Sequence, residues 1–273
     1  RDSTDTIAES ITLTATLVNG SNASANAQFI ADSASAQLQN LLVTKDGSVA
    51  NGTAVNVAEV YVKDATGNPI ADQDVTWSAD KGGITFNPGG KTDANGKTTV
   101  SYSSTIAQTF QLSAAIQNGD KVSTSSLFVA DTTSERIASF DVTTGAIANG
   151  SATNTAAVVI VDANNNPVSN ATLSWSVNGS AVLSAPTTKT DSAGKAAITL
   201  TDLKAEAVQV TVTLDSGTSL TKAVQFVADA NSAQIGTFTV TTGAIADGSA
   251  TNTGNISVVA VSYTHLRAHE TLS

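Results

Sequence analysis

The sequence predicts an all-β chain of tandem β-sandwiches, two complete and two partial. Three observations carry this: an internal period of 98 residues, apolar and polar residues alternating at period two, and frequent turn signals. Trp77 and Trp175 stand 98 residues apart, and Ala50-Asn51-Gly52 recurs at the same spacing as Ala148-Asn149-Gly150 and again as Ala246-Asp247-Gly248. Asn68-Pro69 returns as Asn166-Pro167, and Thr92-Asp93-Ala94-Asn95-Gly96-Lys97 as Thr190-Asp191-Ser192-Ala193-Gly194-Lys195. A Phe-x-Ala-Asp signature at Phe29, Phe128 and Phe226 has spacings of 99 and 98, so one extra residue lies between Phe29 and Ala50.

In chain order, residues 1–34 read as the final part of a repeat, 35–131 and 132–230 as complete repeats, and 231–260 as the first part of another. Thr241-Thr242-Gly243-Ala244-Ile245 in the last part repeats Thr143-Thr144-Gly145-Ala146-Ile147 letter for letter. Residues 261–273 leave the repeat and read as a non-native tail. The chain opens on Arg1, with no basic-then-apolar leader pattern through Phe29, and is expected to be a fragment of a larger protein.

Within a repeat, Val208, Val210, Val212 and Leu214 alternate with Gln209, Thr211 and Thr213, the pattern of a strand with one buried face. Leu173, Trp175 and Val177 alternate likewise, as do Leu220, Val224 and Phe226. Asp64-Ala65-Thr66-Gly67-Asn68-Pro69 and Asp93-Ala94-Asn95-Gly96 combine Asx hydrogen bonding, tolerance of positive φ and, in the first, a proline stop. About seven short strands per repeat, with turn signals roughly every 8–12 residues, indicate a β-sandwich. Trp77 and Trp175 should lie between its two sheets.

Composition excludes several functions. A net charge of −10 argues against phosphate backbones and anionic lipid as partners. Without cysteine there is no disulfide, thiolate metal site or cysteine nucleophile. The longest apolar run, Ala156 to Val161, falls far short of the ~18 residues of a membrane helix.

The collinear motifs Val62-Lys63-Asp64-Ala65-Thr66-Gly67-Asn68-Pro69, Val75-Thr76-Trp77-Ser78 and Thr92-Asp93-Ala94-Asn95-Gly96-Lys97-Thr98-Thr99-Val100 resemble the group 1 bacterial Ig-like repeat of invasin- and intimin-like adhesins. Trp stands where that repeat usually has Phe, and Asn51 and Asn149 stand where it has the Asp that Asp247 retains. The resemblance covers residues 1 to about 260. It implies immunoglobulin-like sandwiches in an outer-membrane-anchored surface protein, with a β-barrel at one end, the repeats as a stalk and often a receptor-binding tip. The sequence contains neither barrel nor lectin-like tip, so adhesion is assigned to no residue.

Candidate sites are few. His265 and His269, four apart, have metal-ligand spacing on a helix, but the stretch is foreign to the repeat and reads as a library artefact. Gly90 to Thr98 suggests a phosphate loop one residue too long for the Walker pattern, and a tight turn accounts for it. Asp64, Asp93, Asp162 and Asp191 could gather Ca²⁺ at repeat junctions; capping of their own turns is the simpler role. Asn22-Ala23-Ser24, Asn51-Gly52-Thr53 and Asn149-Gly150-Ser151 match the glycosylation sequon, as chance predicts in so Asn/Ser/Thr-rich a chain. No histidine within the repeats serves a Ser-His-Asp triad, and Glu9, Glu59, Glu135 and Glu206 are read as sharing no repeat position.

The reading is therefore a stalk segment of a bacterial outer-membrane adhesin, with no catalytic, cofactor-binding or metal-binding residue and no enzyme activity. Its expected partners are the neighbouring repeats, a host or bacterial receptor reached through regions beyond this sequence, and a membrane only through a barrel outside it. The alternative is that the repeats themselves bind a surface ligand. Few aromatic residues argue against that, because binding hot spots favour Trp, Tyr and Arg.

Overall fold

The computed structural model describes residues 3–260. The chain divides into two compact units, with the boundary between Asp131 and Thr132.

The first unit opens with an antiparallel hairpin, β1 (Ser10–Thr16) and β2 (Asn22–Gln28), followed by a single 3-10 turn at Ser33–Ser35. A sandwich follows. One sheet orders β3 (Gln37–Lys45), β4 (Asn56–Lys63), β7 (Lys97–Ser104) and β6 (Ile84–Pro88) as β3-β4-β7-β6; the other is β5 (Thr76–Ala79), β8 (Thr109–Ala115) and β9 (Lys121–Leu127). Alternation decides what is buried: Ala58, Val60 and Val62 of β4 face Leu112 and Ala114 of β8 in one core cluster, each with no exposed surface. Tyr102 packs edge-on against Phe110 and Phe128, with ring centroids 5.9 and 6.0 Å away, and its hydroxyl shares a 2.8 Å hydrogen bond with Ser126 Oγ.

The second unit repeats the plan. One sheet is β10 (Arg136–Val142), β12 (Asn154–Val161), β16 (Lys195–Thr201) and β14 (Val182–Leu183). The other is β11 (Ala146–Ile147), β18 (Ser219–Val227), β17 (Ala207–Leu214), β13 (Thr172–Val177) and β15 (Thr187–Lys189). Trp175 pairs with Val212 as Trp77 pairs with Ala114, and both indoles are buried.

Two details differ from the sequence expectation, and a third locates the extra residue it placed between Phe29 and Ala50. The repeat in the second unit has nine strands rather than seven, because Ala146–Ile147 and Thr187–Lys189 form short strands. Their counterparts in the first unit are the isolated parallel bridge Val49–Val129 and Gly89-Gly90-Lys91, where Gly90 at φ +101 leaves the extended region. The extra residue of the 99-residue spacing is absorbed as a β-bulge, the register of β3 on β4 shifting between Val43 and Lys45. Leu220 is 45% exposed although Val224 and Phe226 of the same strand are buried, since it lies near the strand start, beyond the opposing core.

The second unit closes with a hairpin of β19 (Ala233–Val240) and β20 (Gly254–Ala260), which keeps the β10–β12 register, including a bulge after Ile235 that matches the one after Ile137. Phe238, Ile256 and Val258 are more than half exposed, whereas their counterparts Phe140, Val158 and Ile160 are buried under the opposing sheet. His265, His269 and the rest of residues 261–273 lie outside the described residues.

Candidate functional site

The turn after β4 is the most elaborate polar feature of the first unit. Asp64 is 3% exposed, and its carboxylate is fully engaged by donors. Oδ1 accepts from Thr66 N (2.9 Å), Thr66 Oγ1 (2.8 Å) and Asn68 N (2.8 Å); Oδ2 accepts from Asn68 Nδ2 (2.9 Å) and Asp32 N (3.1 Å). The Asn68 side-chain bond above all, with those from Thr66, holds this carboxyl well below the usual carboxylate range against the opposing effect of burial. Gly67 takes φ +93 between them, and Pro69 leads the chain back to a bridge with Lys63.

Asn68 also reaches outward. Its Oδ1 accepts from Ala8 N at 2.9 Å and its Nδ2 donates to Thr6 O at 2.9 Å, so the turn touches the segment entering β1. Asp32 N, just beyond β2, is the second point of contact. Together these groups line a recess of about 200 Å³ between the hairpin and the sandwich of the first unit.

The other predicted aspartates sit in turns of their own. Asp162 Oδ1 accepts from Asn164 N and Asn166 N, and Oδ2 from Asn166 Nδ2; Asn165 replaces Gly67 at φ +67. Asp93 Oδ1 accepts from Asn95 N and Lys97 N, and Asp191 Oδ1 from Ala193 N and Lys195 N. The Asp93 turn lies beside the Asp64 turn, since Val62 N donates to Gly96 O, yet each carboxylate serves its own loop. A Cβ on Gly96 would meet Val62 O at 2.3 Å, so strand packing, not a phosphate, demands that glycine. Among the described residues no three His, Cys, Asp or Glu side chains gather as a metal site.

Contrary to the sequence expectation, two of the glutamates are equivalent. Glu9 and Glu206 do share a repeat position: Phe29 N donates to Glu9 O and Phe226 N to Glu206 O, with the same offset from the Phe-x-Ala-Asp signature. Glu206 Oε1 accepts from Ser180 N (2.8 Å) and Oγ (2.9 Å), and Oε2 pairs with Lys204 Nζ at 2.7 Å. The Lys204 bond first, then those from Ser180, lower this carboxyl to about 2. Ser180 Oγ also lies 2.7 Å from Asp202 Oδ1, while Asp202 Oδ2 is buried without a partner.

Two stretches, residues 38–129 and 137–227, match the model of the bacterial Ig-like domain (group 1). The chain belongs to that family. A curated relative, the inverse autotransporter adhesin YeeJ of Escherichia coli (strain K12), is 30% identical over 245 residues, covering 83% of this chain and 10% of YeeJ. This Ig-like chain thus spans about a tenth of that relative's length. The solved structure of invasin, titled a bacterial integrin-binding protein, is 27% identical, covers 83% of this chain and 46% of its own, and has a TM-score of 0.42. The Escherichia coli adhesin FdeC shares the fold, with a TM-score of 0.56 at 21% identity over 78% of this chain and 70% of its own. YeeJ and FdeC are adhesins. The Asn68 contacts have no local signature, because in sequence an Asn-Pro pair marks only a turn stop.

Proposed function

We propose that this Ig-like chain is a spacer within an adhesin of the bacterial outer membrane, holding a distal binding region away from the cell, and that it is neither an enzyme nor dependent on a metal or cofactor. The observation that carries this reading is the double construction. The same sandwich, with its own buried Trp and the same self-capped Asp64/Asp162 and Asp93/Asp191 turns, is built twice. Its polar side chains cap turns and tie strands, and an acidic, mixed surface resists self-association. The relatives' adhesive roles and the location at the cell surface come to this chain by family. Attachment of the labelled chain to host and bacterial cells tests the proposal: a linear, unsaturable signal is expected, and saturable attachment at micromolar concentration would contradict it.

One feature favours the second reading, in which the repeats bind a ligand themselves. In the second unit a shallow groove of about 440 Å³ crosses the outer face of β10, β12 and β16, lined among others by Ser139, Asp141, Ala157, Lys195 and Ala197. In the first unit Glu59 and Lys97, counterparts of Ala157 and Lys195, form a 2.5 Å ion pair beside Tyr61 on the corresponding face. Under that reading the Ala157→Glu variant, which copies Glu59, abolishes saturable attachment.

A further inference from the structure

We propose that the Asp64-to-Asn68 turn is a docking surface for the tail of whichever Ig-like repeat precedes it, and that it recognises that tail through main-chain groups alone. For its use the inference rests on the spacer reading; its geometry does not.

Three hydrogen bonds cross between the turn and residues 3–32; a fourth, from Ala65 N to Ser35 Oγ at 3.2 Å, stays within the turn's own repeat. On the incoming side the three engage Thr6 O, Ala8 N and Asp32 N, all of them backbone atoms. Thr6 C=O and Ala8 N–H flank Ile7 in the bend that enters β1, and both reach the same carboxamide, as they would reach a neighbouring β-strand. The Asn68 carboxamide, one acceptor and one donor on a planar group, stands in for that strand. Neither Asp, which lacks the donor, nor Leu, which lacks both, reproduces it.

Asp64 is the positioning residue. Its Oδ2 and Thr66 Oγ1, 2.9 and 2.8 Å from Asn68 Nδ2, share that group's two hydrogens with Thr6 O and so fix the carboxamide plane. Oδ2 also receives Asp32 N, so one turn grips the hairpin both before β1 and after β2. Two separated points resist rotation as well as separation, which a single contact does not.

The side chains of the incoming segment contribute little. Ile7 is 58% and Ile30 80% exposed, leaving most of their apolar surface in water. A surface that reads only C=O and N–H groups accepts any tail that presents them in the same register. The tail of the 132–230 repeat shares the backbone bond nearest to those groups, Phe226 N to Glu206 O as Phe29 N to Glu9 O. Repeats would then be interchangeable in order without redesign of each junction.

The absence of cysteine permits a direct test on the full chain. Nitroxides on Ala23→Cys and Ser125→Cys, both at exposed strand positions, report the hairpin-to-sandwich distance by pulsed electron resonance. A single narrow peak is expected, retained in the Thr6→Ala/Ile7→Ala variant and in a chimera carrying residues 200–229 in place of 3–32, whose hairpin label sits on Leu220→Cys, the counterpart of Ala23. Asn68→Ala should lose that narrow peak while Trp77 fluorescence stays native. An unchanged peak in Asn68→Ala, or equal broadening in the Ile7 variant or the chimera, overturns the proposal. Should Asn68→Ala fail to fold, hydrogen exchange at the Ala8 amide of the unaltered chain decides: protection is expected, and exchange at the random-coil rate overturns it. Cell attachment bears on the spacer reading alone and leaves these outcomes unaffected.

Discussion

Trp175 Nε1 donates to Thr188 Oγ1 at 2.8 Å, whereas the equivalent indole of Trp77 is buried with no partner because Gly90 stands where the second repeat has Thr188. Two copies of one core thus differ by a hydrogen bond. A buried orphan donor costs free energy that removing it recovers. Trp175→Phe is therefore expected to destabilise its repeat by about 1 kcal/mol more than Trp77→Phe destabilises the other, as read by urea unfolding followed by circular dichroism. Either Trp→Ala should cost roughly 3–5 kcal/mol. Equal losses for the two Phe variants would show that the Thr188 contact contributes nothing.

Glycine positions separate steric demand from backbone freedom. Gly96→Ala and Gly194→Ala would each force a Cβ to 2.3 Å from a carbonyl oxygen, of Val62 and Ile160 respectively. Gly119, at φ +93 with nothing within 4 Å, meets only the strain of a left-handed backbone. Gly119→Ala should cost about 1 kcal/mol, and Gly96→Ala should leave its repeat unfolded in the same denaturation series. A mild Gly96→Ala would mean that β4 and the Asp93 turn pack less tightly than they do here.

Calcium should matter little. Five donors occupy the Asp64 oxygens and leave no lone pair aimed at a cation. Thermal melts in millimolar Ca²⁺ and in chelator should coincide; a shift of many degrees would reveal a site that binds the folded state.

Glu206 predicts an acid limb. Its folded-state pKa of about 2 lies below its ordinary value, so the stability it contributes is complete above the ordinary glutamate range. That contribution drains away as pH falls toward about 2. The ion pair with Lys204 is lost with the charge, and the Ser180 bonds to the neutral carboxyl are weaker. The Glu206→Gln variant should flatten the melting temperature across that interval, and an unaltered slope would remove Glu206 from the acid response.

What was legible in the sequence was local. Period-two strands, Asx turns and Gly at positive φ each announce themselves within a few residues, and the buried Trp pair followed from the 98-residue period. What escaped depends on partners distant along the chain. Asn68 meets Ala8 sixty residues away, and no local pattern shows that its carboxamide substitutes for a strand. The strand at Thr187–Lys189 arises because its residues are Thr-Thr-Lys rather than Gly-Gly-Lys, a difference that looks minor until pairing with β13 is known. The bulge between Val43 and Lys45 was visible only as an unplaced extra residue.

The proposed spacer role requires two repeats that each hold together alone, and pulling a single molecule tests this most directly. Stretching the chain by its ends should give two unfolding events of similar force, each releasing roughly 300 Å of contour for about 98 residues. A single event releasing the whole chain at once, or gradual lengthening with no event, would contradict it.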